Sequence, residues 1–169
     1  DGAGGMSEVS SLPIAGSKLA AEGQHVYVAA GDNGVVVVDA SVPASPKIVS
    51  RLTNFGAVHD VLVRQSTLYA ATSLDGIVVF DVQDPSSPRV VKKLAGPANK
   101  TVRNVALHPF YVVGATFDVG SSSEVFWAEN PGLHLIDATP SSGIIDQDAT
   151  GDRIVRLRFN KAIDGCSDP

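Results

Sequence analysis

The sequence predicts an all-β fold built from repeated units of four short strands, and three observations support this. The chain's three tyrosines, Tyr27, Tyr69 and Tyr111, recur at a single spacing of 42 residues. Each lies in a short apolar run, and the valines that dominate these runs favour strands. Sixteen glycines and ten prolines supply the turn residues that many short strands need. A period of about 40 to 50 residues with four strands per unit is typical of a β-propeller blade.

The second unit shows its four strands most clearly. Strands are predicted at residues 61–64, 68–72, 76–81 and 89–94. Turn residues separate them at 65–67, 73–75 and 84–88. The uninterrupted apolar run from Ile77 to Phe80 indicates a strand covered on both faces, as expected where sheets stack on one another.

The repeat extends beyond the tyrosines. A shift of 42 residues places segment 34–39 on segment 76–81, and it also places Leu52 on Leu94. A third copy, at residues 132–137, is displaced by 56 residues, which indicates an insertion of 14 residues before it. We therefore expect a partial β-propeller with two clear four-stranded blades and a modified third.

Two of these segments resemble LVIVD repeats, whose core Gly-Leu-x-Ile-x-Asp-Val-Ser-Asp-Pro-x-x-Pro follows a Tyr-Val-Ala strand. They read Gly-Val-Val-Val-Val-Asp-Ala-Ser-Val-Pro-Ala-Ser-Pro at 34–46 and Gly-Ile-Val-Val-Phe-Asp-Val-Gln-Asp-Pro-Ser-Ser-Pro at 76–88. The resemblance covers about residues 17–137 and implies a β-propeller, usually in secreted or surface proteins without a known activity. The third unit departs from the pattern, because Asp137 and Pro140 are one residue closer than the repeat requires and the second proline is missing.

A second domain is expected after a linker at residues 138–152, and residues 1–16 are expected to form a linker or N-terminal lead-in. Residues 153–169 resemble the opening strand of a bacterial Ig-like surface domain, with apolar and charged residues largely alternating from Ile154 to Phe159. Such a β-sandwich needs roughly 90 to 100 residues. We therefore expect it to continue beyond this chain.

Three blades are too few to close a ring, since a propeller takes at least four. The remaining blades are therefore expected from the same larger protein or from other chains. The net charge of −5 argues against nucleic acid as a partner. The longest aliphatic run, Val35 to Val38, is far shorter than the roughly 20 residues of a membrane-spanning helix, so no membrane span is predicted. The resemblance implies an extracellular or cell-surface location.

The insertion, within residues 117–131, is the first candidate contact surface because it holds the only tryptophan. We expect it on a loop at a propeller face, where Phe126, Trp127 and Glu129 could stack on a sugar or anchor a protein partner. The alternative is that Phe126 and Trp127 fold back over the blade. A second candidate is the pair His59 and Arg103, which occupy similar strand starts and could bind a ligand in the central channel.

A possible calcium site is formed by Asp146, Asp148 and Asp152, which flank a glycine in an Asp-x-Asp-x-x-Gly pattern. Calcium takes six to eight oxygen ligands, and alternating acids in a tight turn supply several. The twelfth position, where an EF-hand loop has a glutamate, is Leu157. An acidic interdomain linker is therefore the alternative.

Two further features, a lone cysteine and a glycosylation sequon, each allow more than one interpretation. Cys166 is a buried thiol, half of a disulfide with a partner outside this chain, or a reactive thiol. Segment 99–101 (Asn-Lys-Thr) is a glycosylation sequon, which has meaning only in a eukaryotic secreted protein.

The sequence predicts no catalytic residues and no cofactor other than calcium. It contains no nucleophile elbow, phosphate loop or dinucleotide fingerprint. Asp39, Asp81 and Asp137 recur at one repeat position, and we expect them to bind turn amides. The predicted function is a non-catalytic scaffold or adhesion segment of a larger secreted or surface protein, binding protein or carbohydrate. The alternatives are a structural subunit of an oligomeric extracellular assembly, or part of a propeller hydrolase or lyase.

Overall fold

The computed structural model describes residues 7–108, 111–117 and 123–129, together with two short strands at 146–147 and 153–154. All regular structure in this described part is β-strand, which confirms the all-β prediction. The described residues contain no helix long and apolar enough to cross a membrane. The chain divides into two units, residues 1–132 and residues 133–169.

The first sheet is a four-stranded antiparallel meander in sequence order. Its strands are β1 (Lys18–Glu22), β2 (His25–Ala29), β3 (Val35–Asp39) and β4 (Lys47–Leu52). All four valines of β3 are buried, because both faces of this strand are covered.

The second sheet repeats this topology. Its strands are β5 (Val58–Arg64), β6 (Thr67–Thr72), β7 (Ile77–Asp81) and β8 (Arg89–Leu94). The four strands predicted from the sequence are therefore confirmed, with small differences at their ends. Gln65 and Ser66 form a two-residue β5–β6 turn with φ of 50° and 55°, and positive φ at both positions is typical of a type I′ hairpin.

Glycine precedes the third strand of the first and second sheets for a steric reason. Gly34 and Gly76 precede β3 and β7 with φ of 75° and 74°. A side chain at either position would collide with the carbonyl oxygen of Leu52 or Leu94, respectively. The repeat motif therefore begins with glycine because no other residue fits this turn.

The third sheet differs from our expectation at its third strand. Its strands are β9 (Val102–Leu107), β10 (Tyr111–Thr116) and β11 (Val125–Glu129), in the order β11-β10-β9. We predicted that the insertion lies on a loop, but β11 comes from that insertion and pairs with β10. Its valine and aromatic residues favour a strand. Residues 132–137, where the sequence repeat predicts this strand, lie outside the described residues.

The second unit contains one described hairpin. Its strands β12 (Asp146–Gln147) and β13 (Arg153–Ile154) pair antiparallel, and β12 falls within the predicted linker. The Ig-like domain stays a prediction.

The three sheets of the first unit stack as consecutive propeller blades, and each interface joins a forward face to a backward face. The forward face of a sheet packs on the following sheet, and its backward face packs on the preceding one. At the first interface, the forward face of the first sheet contributes Tyr27, Ala29, Val35 and Val37, and the backward face of the second contributes Leu68, Ala70, Val78 and Phe80. At the second interface, the corresponding residues are Tyr69, Ala71, Ile77 and Val79 against Val102, Val105 and Val112. Burying each large side chain contributes about 1.5–3 kcal/mol.

The N-terminal lead-in covers the backward face of the first sheet. Leu12 and Ile14 pack against Ala30, Val36 and Val38. This segment is not a strand, and it lies on the face that corresponds to the backward face of the second sheet.

Candidate functional site

The first strands of the second and third sheets, β5 and β9, bring the predicted channel residues together. The Arg103 guanidinium lies 3.4 Å from Nδ1 of His59. One residue further along, Nδ2 of Asn104 lies 3.4 Å from a carboxylate oxygen of Asp60. The structure thus places His59 beside Arg103, while their role in binding stays a prediction.

The Asp60 carboxylate joins the two sheets. One of its oxygens accepts the backbone amide of Val105 at 3.1 Å, and the other accepts that of Val61 at 3.0 Å. The bond to Val61 holds the carboxylate within β5, and the bond to Val105 links β5 to β9.

The environment of His59 favours its neutral form. Burial lowers its pKa, the positive charge of Arg103 lowers it further, and Asp32 opposes these effects. An ordinary histidine has a pKa near 6.5, and the lowered pKa of His59 further favours the neutral imidazole. Arg103 therefore provides the positive charge of this pair.

The recurrent aspartates bind turn amides, as predicted. Asp39 accepts the backbone amide of Ser41 at 2.8 Å, and Asp81 accepts that of Gln83 at 2.9 Å. The hydrogen bond from Ser41 lowers the pKa of Asp39. Asp137 lies outside the described residues.

The forward face of the third sheet is an exposed apolar surface. Strand alternation places Tyr111, Val113, Ala115, Val125 and Trp127 on this third-sheet face. Tyr111 is 42% exposed, Val125 is 55% exposed and Trp127 is 63% exposed. Trp127 lies opposite Val113, and Val125 lies opposite Ala115.

The equivalent positions of the first two sheets are buried. Tyr27 and Tyr69 are each 2% exposed because the following sheet covers them. Ile77 lies opposite Ala71 in the second sheet, as Trp127 lies opposite Val113 in the third, and Ile77 is fully buried. The third-sheet face is thus the surface that elsewhere in the molecule receives another sheet.

The predicted contact residues Phe126, Trp127 and Glu129 all lie on β11 but differ in placement. Phe126 points toward the second sheet and packs in its core, where a side chain at Gly114 would collide with the Phe126 ring. Trp127 points to the opposite, exposed face. The position of the Glu129 side chain is not described. The exposure of Trp127 is therefore compatible with a contact role. Phe126 instead packs against the blade, which is the alternative expectation for this residue.

An open groove of about 660 Å³ lies beside the start of β7, between residues 73–76 and residues 95–101. Two ion pairs occupy its neighbourhood, with Lys93 Nζ 2.9 Å from Asp75 and Lys100 Nζ 2.6 Å from Glu124. Asn99 of the glycosylation sequon is exposed at its rim. Both ammonium groups are neutralised by carboxylates, so the groove presents little net charge.

The structure leaves the calcium prediction open. Asp146 lies in β12, and Asp148 and Asp152 lie outside the described residues, as does Cys166. Among the residues that are described, no three His, Cys, Asp or Glu side chains cluster as metal ligands would.

Sequence reasoning missed Tyr111, Val113 and Val125 as surface residues. The 42-residue repeat of the tyrosines could have placed Tyr111 on the same face as Tyr27 and Tyr69, and the strand pairing could have placed Val113 and Val125 there. A tyrosine in the last described blade has no described following sheet to cover it.

Comparison with known proteins identifies the repeats. The LVIVD repeat matches residues 15–54 and residues 55–95 in two consecutive copies. No curated protein matches this chain. The computationally designed Ika4 protein is similar with a TM-score of 0.45 and 11% identity, over 73% of this chain and 98% of that one. The computationally designed Ika8 protein has a TM-score of 0.49 and 14% identity, over 85% of this chain and 39% of that one.

Proposed function

We propose that this chain, whose two consecutive LVIVD repeats form the first two blades of a partial β-propeller, is a non-catalytic binding scaffold. Its third-sheet face is the binding surface, and Trp127 is the central contact residue. The observation that carries the proposal is the exposure of Tyr111, at 42%, where the equivalent tyrosines are 2% exposed.

The polar residues of the described chain support a non-catalytic role. Asp39, Asp60 and Asp81 are engaged in hydrogen bonds to backbone amides. In the described part of the chain, His59 has Arg103 rather than a carboxylate as its hydrogen-bonding partner. An acid–base catalyst needs a carboxylate or histidine free to exchange protons with a substrate.

The composition of the third-sheet face favours a protein partner over a carbohydrate. The aromatic rings of Tyr111 and Trp127 are accompanied by the aliphatic side chains of Val113 and Val125. Protein interfaces are enriched in such aromatic anchors, and sheets pack face to face through aliphatic side chains. We propose that the partner presents an apolar sheet face.

The LVIVD resemblance alone supports the proposed location and context. A secreted or cell-surface protein, larger than this chain, is the setting that the LVIVD resemblance favours. Adhesion is the role that such a scaffold would have there.

Binding of the dye 8-anilinonaphthalene-1-sulfonate tests whether this surface is available, because the dye fluoresces on exposed apolar patches. We expect Trp127→Asp to remove at least half of the dye fluorescence of the folded chain. Val42→Asp is the matched control, since Val42 is 56% exposed in the turn between β3 and β4 of the first sheet. It should leave the dye signal unchanged.

Two results would overturn the proposal. Equal dye signals for the wild-type chain and Trp127→Asp would show that the face does not take an apolar ligand. Binding on a glycan array that Trp127→Ala abolishes would assign the face to carbohydrate instead.

A further inference from the structure

We propose that the third-sheet face of one copy of this chain docks onto the backward face of the first sheet of a second copy, displacing the N-terminal lead-in. This inference rests on the proposed binding role of the third-sheet face and names its partner. The contact is a third instance of an interface that the molecule already builds twice.

The two ends of the three-sheet stack carry complementary halves of that interface. At one end, Tyr111 and Trp127 occupy the positions of the buried forward residues Tyr69 and Ile77. At the other end, the 42-residue shift places Val26, Val36 and Val38 on the backward residues Leu68, Val78 and Phe80. Because forward and backward faces fit each other within one copy, they are able to fit between copies.

The lead-in covers the first sheet less completely than a sheet would. Leu19 is 69% exposed, although its equivalent, Val61, is 5% exposed beneath the preceding sheet. Leu12 and Ile14, which provide the cover, are themselves only partly buried. The lead-in therefore covers only part of the backward face of the first sheet.

Few hydrogen bonds hold the lead-in in place. Within it, the Ser10 hydroxyl donates to the carbonyl of Pro43 at 2.5 Å. Ser17, the residue that follows the lead-in, donates its amide to the carbonyl of Ala29 at 2.9 Å and its hydroxyl to the carbonyl of His59 at 3.2 Å. The described residues 7–16 form no strand ladder with the first sheet. A docking sheet would replace a few apolar contacts without breaking a β-ladder.

A head-to-tail contact between two copies closes on itself. The described residues of each copy form three stacked sheets, so two copies joined by two such contacts would bring six sheets into one ring, within the usual range of four to eight blades. Both contacts are then equivalent, and each covers one third-sheet face with the backward face of a first sheet. The lead-in competes with this assembly, so its strength sets the concentration at which copies associate.

Two measurements test this inference. Sedimentation velocity reports the mass of the associated species, and the emission of Trp127 reports whether the third-sheet face becomes covered. We expect Leu12→Asp/Ile14→Asp to associate to twice the monomer mass at least tenfold more dilute than the wild-type chain, with a blue shift of Trp127 emission. Val9→Asp is the matched control in the same segment, since Val9 is 66% exposed, and it should behave as wild type. The milder pair Leu12→Ala/Ile14→Ala should show the same direction if the aspartate pair unfolds.

Variants at the two faces test the head-to-tail geometry. Trp127→Asp and Leu19→Asp, each added to the lead-in variant, should be monomeric alone and should associate when mixed, because the mixture contains one intact interface. Association of the Leu19→Asp form by itself would overturn the proposal in favour of two third-sheet faces packing on each other.

The outcomes separate this inference from the proposed function. A lead-in variant that stays monomeric at all concentrations, with an accessible Trp127, overturns self-association and leaves the binding surface intact. A Trp127 that is protected from solvent in the monomer overturns both, because the face is then covered within one copy.

Discussion

The second and third sheets carry the same kind of forward face, but only that of the second sheet is covered. Ile77 and Tyr69 are buried between two sheets, whereas Trp127 and Tyr111 occupy the same positions and meet solvent. The backward face of each sheet packs on the preceding sheet, although Phe126 and Ala128 of the third sheet are only partly buried. The difference teaches that exposure in this repeat depends on the neighbouring sheet and not on the residue type within the strand.

The largest expected effect tests this difference at equivalent positions. Ile77→Ala should lower the free energy of unfolding by about 2–5 kcal/mol, because it leaves a cavity between two sheets. Trp127→Ala should lower it by about 1 kcal/mol or less, because the indole is mainly exposed. Urea denaturation followed by circular dichroism measures both. Equal losses would show that Trp127 is buried and would contradict the comparison.

The backward face of the third sheet offers the next test. Gly114→Ala should cost about 1–3 kcal/mol, since the added methyl group would collide with the Phe126 ring and contact Ile77. Gly23→Ala is the control, because a side chain there has no neighbour within 4 Å and only the positive φ opposes it. If Gly114→Ala is neutral, the third sheet packs on the second more loosely than the structure shows.

A smaller effect is expected at the hydrogen bonds that join the first sheet to the β5–β6 turn of the second sheet. The Glu22 carboxylate accepts the backbone amides of Gln65 and Ser66 at 2.6 and 2.8 Å. Glu22→Gln should cost about 1 kcal/mol because it weakens these charge-assisted bonds. Glu8→Gln, which removes the same charge at an exposed position, should leave the unfolding free energy unchanged. A loss of the same size in both variants would assign the effect to net charge.

The smallest effect is a pH dependence at the buried forward face of the first sheet. Burial raises the pKa of Tyr27 above its ordinary value of 10.0, and the nearby Glu22 carboxylate adds to the rise. The stabilisation that this gives is complete below pH 10 and is lost as the pH rises through the pKa of the folded state. Tyr27→Phe should therefore flatten the fall of stability above pH 10, measured by denaturation at several alkaline pH values. An unchanged fall would exclude Tyr27 as its source.

Much of the fold follows from local sequence. The strands β5 to β8 could be predicted because turn residues bound each apolar run, and the turn role of Asp39 and Asp81 could be predicted from their spacing. The placement of β11 could not, because the insertion breaks the repeat, and the repeat motif places the third strand at residues 132–137 instead of at 125–129. The exposed third-sheet face was also missed, since alternation defines two faces of a strand without showing which one a neighbouring sheet covers.

The lead-in illustrates the same limit. Leu12 and Ile14 belong to a segment without periodicity, and its contact with Val36 and Val38 depends on an uncovered sheet face that only the assembled structure creates. The sequence therefore predicted a lead-in there but not its position on the first sheet.

Quenching of Trp127 fluorescence by acrylamide tests the central claim most directly, because this is the only tryptophan of the chain. In a dilute, folded sample, we predict quenching at least half as efficient as that of the chain unfolded in urea, with emission close to that of indole in water. Weak quenching and blue-shifted emission in the dilute monomer would contradict the claim, because they would show that the third-sheet face is covered in a single copy.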